Sequence, residues 1–72
     1  MTEKVLLKKI GAKIVEIRRE KGMSQQDLAA KLNYEKSNMS RLESGNVNLR
    51  VGTLYKVARA LGISLSELLR IK

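Results

Sequence analysis

The side chains whose types and spacing best suit ligand binding lie between residues 36 and 44, where hydroxyl and basic groups are interspersed with two apolar residues. If each residue advances a helix by about 100°, Met39 and Leu42 share one side and five polar side chains face away from it. These five are Lys36, Ser37, Ser40, Arg41 and Ser44. Arg pairs bidentately with guanine, and Ser bonds to bases or phosphates, so the pattern favours contact with duplex DNA. The alternative is a solvated helix face, although such a face more often carries Glu and Lys in i, i+4 pairs.

Enzymatic chemistry finds no support in the remaining polar residues. His and Cys are absent from the chain, which excludes a Ser–His triad and a Cys/His metal site. Ser24, Ser37 and Ser40 therefore lack a histidine partner, and the acids Glu16, Glu20, Asp27 and Glu43 lack metal-ligand spacing. We expect a protein that is not an enzyme and that uses no cofactor or metal.

The chain is strongly basic for its size. Its 72 residues include 15 Lys and Arg against seven Asp and Glu, a net charge of +8. Such a charge points to a polyanion, either nucleic acid or an anionic membrane surface. Tyr34 and Tyr55 are the only aromatic residues, so the stacking platforms of single-strand binders are missing. No apolar run approaches the roughly 20 residues of a membrane span, and the N-terminus lacks a secretory pattern, so we expect a cytoplasmic protein.

Apolar residues recur at helical spacing along the whole chain. The first stripe is Leu6, Leu7, Ile10, Ile14 and Ile17, and its helix should end at Lys21-Gly22. Further helices are predicted over about 25–32, from 35 or 36 to 44, from 51 to a stop at Gly62, and over a short stretch after Ser64. The sequence therefore predicts an all-α, compact bundle of five short helices in a single domain, 1–72.

Local signals mark the ends of these helices. Ser24 with Asp27 resembles a capping box with a short acid, and Ser64 with Glu67 is a full capping box. Asn33 is expected to end the second helix in the left-handed conformation. The segment 24–45 thus contains two short helices about a turn, the second weakly apolar, which is the helix-turn-helix plan.

Three stretches of the chain closely resemble the Cro/lambda-repressor-type family, also called the Xre family. They are Met23-Ser24-Gln25-Gln26-Asp27-Leu28-Ala29, Met39-Ser40-Arg41-Leu42-Glu43-Ser44-Gly45, and Thr53-Leu54 through Ala58-Leu61-Gly62-Ile63-Ser64 to Glu67-Leu68-Leu69. The resemblance extends from about Ile10 to Leu69. It implies a lambda-repressor-like fold of five helices, in which helices two and three bind DNA, mostly as a dimer on an operator.

The resemblance also implies roles for individual residues. Gln25 matches a phosphate contact, and Lys36, Ser37 and Arg41 match base-reading positions. Ser44 and Asn46 match contacts to the DNA backbone beyond helix three, and Arg18 with Glu43 matches an ion pair between helices one and three.

Two residues depart from the family pattern. Asn33 stands where the family usually has Gly, and Glu35 lies at the entry to the recognition helix. We expect Asn33 to preserve the turn. Glu35 has two open interpretations: it accepts from a cytosine amino group, or it complements the helix N-terminus.

Positive charge is concentrated outside the predicted helix-turn-helix. Residues 1–22 and 46–72 each carry +4, whereas residues 23–45 are neutral. Attraction to phosphates must therefore come from the flanks, and the candidates are Lys13, Arg19 and Arg50.

The C-terminal part is the predicted dimer interface, with double-stranded DNA as the main partner. We expect Val47, Leu49, Leu69 and Ile71 to contact a second copy, although the apolar residues after Ser64 could instead cover the chain's own core. Two alternatives remain: an antitoxin that binds a toxin protein as well as DNA, and a basic amphipathic peptide on a membrane surface.

Overall fold

The computed structural model describes residues 1–71 and shows an all-helical chain of five helices without strands in that range. The last residue of the predicted domain, Lys72, lies outside the described residues. The helices are α1 Glu3–Glu20, α2 Gln25–Leu32, α3 Lys36–Ser44, α4 Val51–Leu61 and α5 Leu65–Leu68. The predicted five-helix bundle is confirmed. None of the described helices is long and apolar enough to cross a membrane.

Side-chain caps and left-handed residues set the helix ends. Ser24 accepts from the Asp27 N–H at 3.0 Å, and the Asp27 carboxylate accepts from the Ser24 N–H at 2.9 Å, so the short acid completes the capping box. At α5 the structure shows one half of the expected box, a 3.0 Å bond from the Glu67 N–H to the Ser64 hydroxyl. Asn33 adopts φ 56°, the left-handed conformation expected where the family usually has Gly.

The core takes side chains from every helix. Its fully buried large side chains are Ile14, Leu28, Met39, Leu42, Leu61, Leu68 and Val57. The stripe predicted for α1 is correct from Ile10 onward but not at its start, because Leu6 is 39% exposed and Leu7 is only half-buried. The helix itself begins earlier, at Glu3, where the Thr2 hydroxyl caps the Val5 N–H.

Helices α1 and α3 approach so closely that only glycine fits at the contact. A Cβ on Gly11 would overlap the carbonyl oxygen of Glu43. A Cβ on Gly45 would lie 2.7 Å from the Cα of Lys8, and Gly45 also has φ 80°. The first helix is therefore the platform that fixes the position of α3.

Candidate nucleic-acid interface

The outer face of α3 consists of the five polar side chains selected from the sequence. Met39 and Leu42 are buried, and all five of the opposite residues are exposed: Lys36, Ser37, Ser40, Arg41 and Ser44. Within residues 1–71, the charged ends of Lys36 and Arg41 have no hydrogen-bond or ion-pair partner. Their donors are therefore available to a ligand, and a guanidinium or ammonium group suits a guanine edge or a phosphate.

Ser44 and Asn46 form a short hydrogen-bonded chain at the C-terminal end of α3. The Ser44 hydroxyl donates to the Arg41 carbonyl oxygen at 3.1 Å and accepts from Asn46 Nδ2 at 3.0 Å. The single hydroxyl proton of Ser44 is thus used locally, whereas the Asn46 amide retains a second N–H. Of the two residues matched to the DNA backbone, Asn46 is the better donor in this arrangement.

An ion pair joins α1 to α3 beneath this face. Arg18 Nε donates to Glu43 Oε2 at 2.8 Å, and Arg18 Nη2 donates to Glu43 Oε1 at 3.2 Å. Arg18 Nη1 also donates to the Met23 carbonyl oxygen at 2.8 Å. The two charged side chains are only 9% and 7% exposed. This bidentate geometry is the strongest that a guanidinium and a carboxylate form, and it fixes the orientation of both.

Gln25 belongs to the same network. Its Nε2 donates to Glu43 Oε1 at 3.0 Å, and its side chain is half-buried. A primary amide has two N–H groups, so one remains for a phosphate while the other is held by Glu43. The residue matched to a phosphate contact is therefore oriented by the buried ion pair.

The flanking cations lie in different surroundings. Arg19 and Arg50 are exposed, and Arg50 is the N-cap residue of α4. Lys13 is half-buried and lines a cleft with Glu16 and Arg70, to which α3 contributes no residue. The structure does not bring Lys13 together with the five exposed polar side chains of α3, which we call the recognition face.

Asn38 is an exposed α3 residue that the sequence analysis missed. It lines a pocket of about 270 Å³ together with Tyr34, Arg41 and Thr53. The helical-wheel argument left it out because it lies toward the apolar side. Since only Met39 and Leu42 form that side, the stripe is too narrow to cover Asn38, and its narrowness was the available signal. An asparagine amide pairs bidentately with adenine.

Glu35 precedes α3 as its N-cap residue. Its carboxylate is exposed and makes no hydrogen bond to the end of the helix. A favourable interaction of its charge with the helix N-terminus needs no hydrogen bond, and an exposed carboxylate can also accept from a cytosine amino group, so both interpretations stay open.

Three of the four predicted dimer residues meet in one apolar groove. Leu49, Leu69 and Ile71 line a groove of about 500 Å³ together with Leu6 and Leu7 of α1. Leu69 is 42% exposed, whereas Leu49 and Ile71 are half-buried against the core. The fourth residue, Val47, is exposed but lines other clefts. The sequence analysis did not anticipate the contribution of α1 to this surface.

No group of His, Cys, Asp or Glu side chains within the described residues could hold a metal ion. The exposed polar residues that the structure brings together are hydrogen-bond donors on a helix that follows a tight turn.

Comparison with known proteins places this arrangement in a family. The HTH_3 family, described as helix-turn-helix, matches residues 14–68. The chain belongs to the HTH_3 helix-turn-helix family. The predicted resemblance is therefore confirmed.

Two relatives of this HTH_3 chain are regulators by name. The uncharacterised HTH-type transcriptional regulator y4dJ from Sinorhizobium fredii is 41% identical over 61 residues, which cover 85% of this chain and 79% of that protein. Control protein C.MunI from Mycoplasma sp. is 36% identical over 61 residues, which cover 83% of this chain and 82% of that protein.

A solved structure shares the fold. The restriction–modification controller protein C.AhdI from Aeromonas hydrophila has a TM-score of 0.81 and 35% identity, covering 86% of this chain and 94% of that chain. These relatives are regulators and control proteins rather than enzymes, which supports the prediction of a DNA-binding regulator without catalytic activity.

Proposed function

We propose that this chain is a sequence-specific transcriptional regulator that binds double-stranded operator DNA with α3 in the major groove. The observation that carries the proposal is the exposed face of α3. Lys36 and Arg41 present unpaired cationic ends there, and three serines between and beside them leave room for close approach. The buried Arg18–Glu43 pair holds this helix on α1.

In this proposal Lys36, Ser37, Ser40 and Arg41 contact bases, and Asn38 is added to that set. Gln25 and Asn46 hold phosphates at the two ends of the helix-turn-helix, with Arg19 and Arg50 supplying further attraction. Each neutralised phosphate contributes roughly −0.9 to the slope of log affinity against log salt concentration, so binding should weaken steeply with salt.

In vitro selection of bound duplexes, followed by titration of the selected site against scrambled DNA, tests the proposal. We expect a defined motif and a large preference for it. Recovery of no motif, with equal affinity for every duplex, would show that the protein does not recognise sequence.

We further propose that the regulator binds as a homodimer through the apolar groove around Leu69. One short helix spans only a few base pairs, and two copies related by a twofold axis would place their recognition helices about 34 Å apart, one turn of DNA. Leu69 and Leu6 are exposed apolar side chains that both line the groove, which supports its use as an interface.

Sedimentation with and without a palindromic duplex measures this assembly. We expect two chains on each full palindrome, and we expect Leu69→Glu to reduce binding to a full palindrome far more than to a half-site. Exposed Val51 does not line the groove, so Val51→Glu is the charge-matched control, and any loss that it causes should be equal on the full palindrome and on the half-site. A one-to-one complex on the full palindrome would refute the dimer and leave DNA recognition standing. The antitoxin alternative stays a prediction, with no specific observation in its favour.

A further inference from the structure

A basic groove with an aromatic wall lies on the outer side of α4, outside the DNA-binding surface described above. It has a volume of about 830 Å³ and is formed between the end of α2 and α4. Its principal residues are Lys31, Gly52, Tyr55, Lys56 and Arg59, which we call the α4 groove. No acidic residue lines it within the described part of the chain.

The side chains of the α4 groove are arranged for contact rather than for packing. The core face of α4 is complete without them, because Leu54, Val57 and Leu61 are buried on the opposite side. Tyr55 is 50% exposed, and the Arg59 guanidinium carbon lies 5.8 Å from the centre of its ring. Exposed Tyr and Arg are the residue types enriched at the energetic centres of protein interfaces.

Gly52 leaves open space along one part of the groove. A Cβ built there meets no heavy atom within 4 Å, so the space above the α4 backbone is open. An apolar side chain of a partner could lie there against the Tyr55 ring. The cations on the rim differ in their surroundings, because Lys31 interacts with Asp27 one turn earlier whereas Lys56 and Arg59 have no acidic partner in residues 1–71.

The α4 groove is separate from the recognition face. Helix α3 contributes no residue to it, and α4 contributes Thr53, not Tyr55 or Arg59, to the pocket beside Arg41. Lys31 lies six residues beyond Gln25, roughly 9 Å along α2 and away from the amide proposed to hold a phosphate.

We propose that the α4 groove binds an acidic segment of another protein while α3 holds DNA. Carboxylates of that segment pair with Lys56 and Arg59, and one apolar side chain between them packs on Tyr55 above Gly52. Charge complementarity selects this occupant. A second copy of the chain is disfavoured, because a twofold contact through the groove would place cations against cations.

The test uses a short blocked peptide, Glu-Asp-Leu-Glu-Asp, and backbone amide chemical shifts of the full chain, free and bound to a selected duplex. We expect the peptide to shift the amides of Gly52, Tyr55 and Arg59 in both forms. Shifts confined to α3, or no shifts at all, would overturn the proposal.

A charge-matched pair of variants separates specific docking from general attraction to a basic protein. Lys56→Glu with Arg59→Glu should weaken peptide binding about tenfold or more, because two rim ion pairs become repulsive. Lys4→Glu with Lys21→Glu makes the same change of charge at the two ends of α1, where Lys4 lies in the first turn and Lys21 is the C-cap residue, and should weaken peptide binding much less. Equal losses in the two variants would refute the proposal. So would a greater loss of DNA affinity from the α4 variant than from the α1 variant, because the groove would then belong to the DNA interface.

Discussion

Replacing Glu43 with alanine should destabilise the fold and the DNA-binding surface together. The carboxylate accepts two bonds from Arg18 and one from Gln25, at 2.8, 3.2 and 3.0 Å. Without it, the Arg18 guanidinium stays buried with only its bond to the Met23 carbonyl oxygen. Removing one partner of a buried pair leaves an uncompensated charge, and the cost is about 3–5 kcal/mol.

That loss is large relative to the stability available. At 0.05–0.15 kcal/mol per residue, a chain of this length should have a free energy of unfolding of about 4–11 kcal/mol. Glu43→Ala should therefore remove at least about a quarter of the free energy of unfolding, and all of it if the protein lies at the low end of that range. Glu43→Gln keeps an acceptor oxygen for Arg18 and should cost less, roughly 1.5–3 kcal/mol for a weakened charged hydrogen bond.

Urea unfolding followed by helical circular dichroism measures these differences. The exposed acid Glu16 on α1 provides the control, and Glu16→Ala should change the free energy of unfolding by no more than about 0.5 kcal/mol. A double-mutant cycle with Arg18→Met isolates the pair, since both groups of the buried pair are then removed. A loss below about 1 kcal/mol for Glu43→Ala, or a coupling energy near zero, would refute the assignment of this pair as the tie between α1 and α3.

The other predictions concern base reading, helix packing and pH. Arg41→Ala should cost roughly 1–3 kcal/mol of binding free energy on the selected site and relax preference at one base pair, whereas Arg50→Ala should weaken binding to all duplexes alike. Equal losses of affinity for selected and random DNA would show that Arg41 contacts a phosphate instead of a base. Gly11→Ala should destabilise by about 1–3 kcal/mol or more because its Cβ overlaps an α3 carbonyl, whereas Gly52→Ala, with open space, should stabilise by about 0.5–1 kcal/mol. A urea midpoint for Gly11→Ala equal to or above that of wild type would contradict the close approach. The backbone N–H of Ser24, and then its hydroxyl, lower the pKa of Asp27, so the stability that the carboxylate contributes is present above its ordinary pKa and is lost as pH falls through the lowered one. The melting temperature of wild type should therefore fall more steeply in acid than that of Asp27→Asn. Parallel pH profiles for the two proteins would refute this.

Much of the fold could be predicted because its signals are local. The stops at Gly45 and Gly62 and the cap at Ser24 depend on residues a few positions apart, and the structure has the predicted boundaries at each. Likewise, two apolar residues three apart determine which side of α3 is buried. The start of α1 was less clear, because the Thr2 cap precedes the apolar stripe and Leu6 faces a groove rather than the core.

The features that could not be predicted depend on how the helices meet. The overlap of Gly11 with an α3 carbonyl joins residues 32 positions apart, and nothing near Gly11 in the sequence indicates it. The bond from Gln25 to Glu43 likewise depends on the approach of α2 to α3. The narrow apolar stripe of α3 could have indicated that Asn38 is exposed, but the pocket that it shares with Val47 and Leu49 depends on the position of the following loop.

The apolar stripe of α3 is narrow, and the buried ion pair supplements it in holding the helix on α1. Met39 and Leu42 are its only fully buried side chains, and at about 1.5–3 kcal/mol each they supply roughly 3–6 kcal/mol of burial. A wider apolar stripe would hold α3 more firmly, but it would occupy positions that now face outward, such as Asn38 and Arg41. The Arg18–Glu43 pair and the glycine contact on α1 fix the helix without using its five exposed polar side chains. The residues proposed to read bases can therefore change without loosening the helix that carries them.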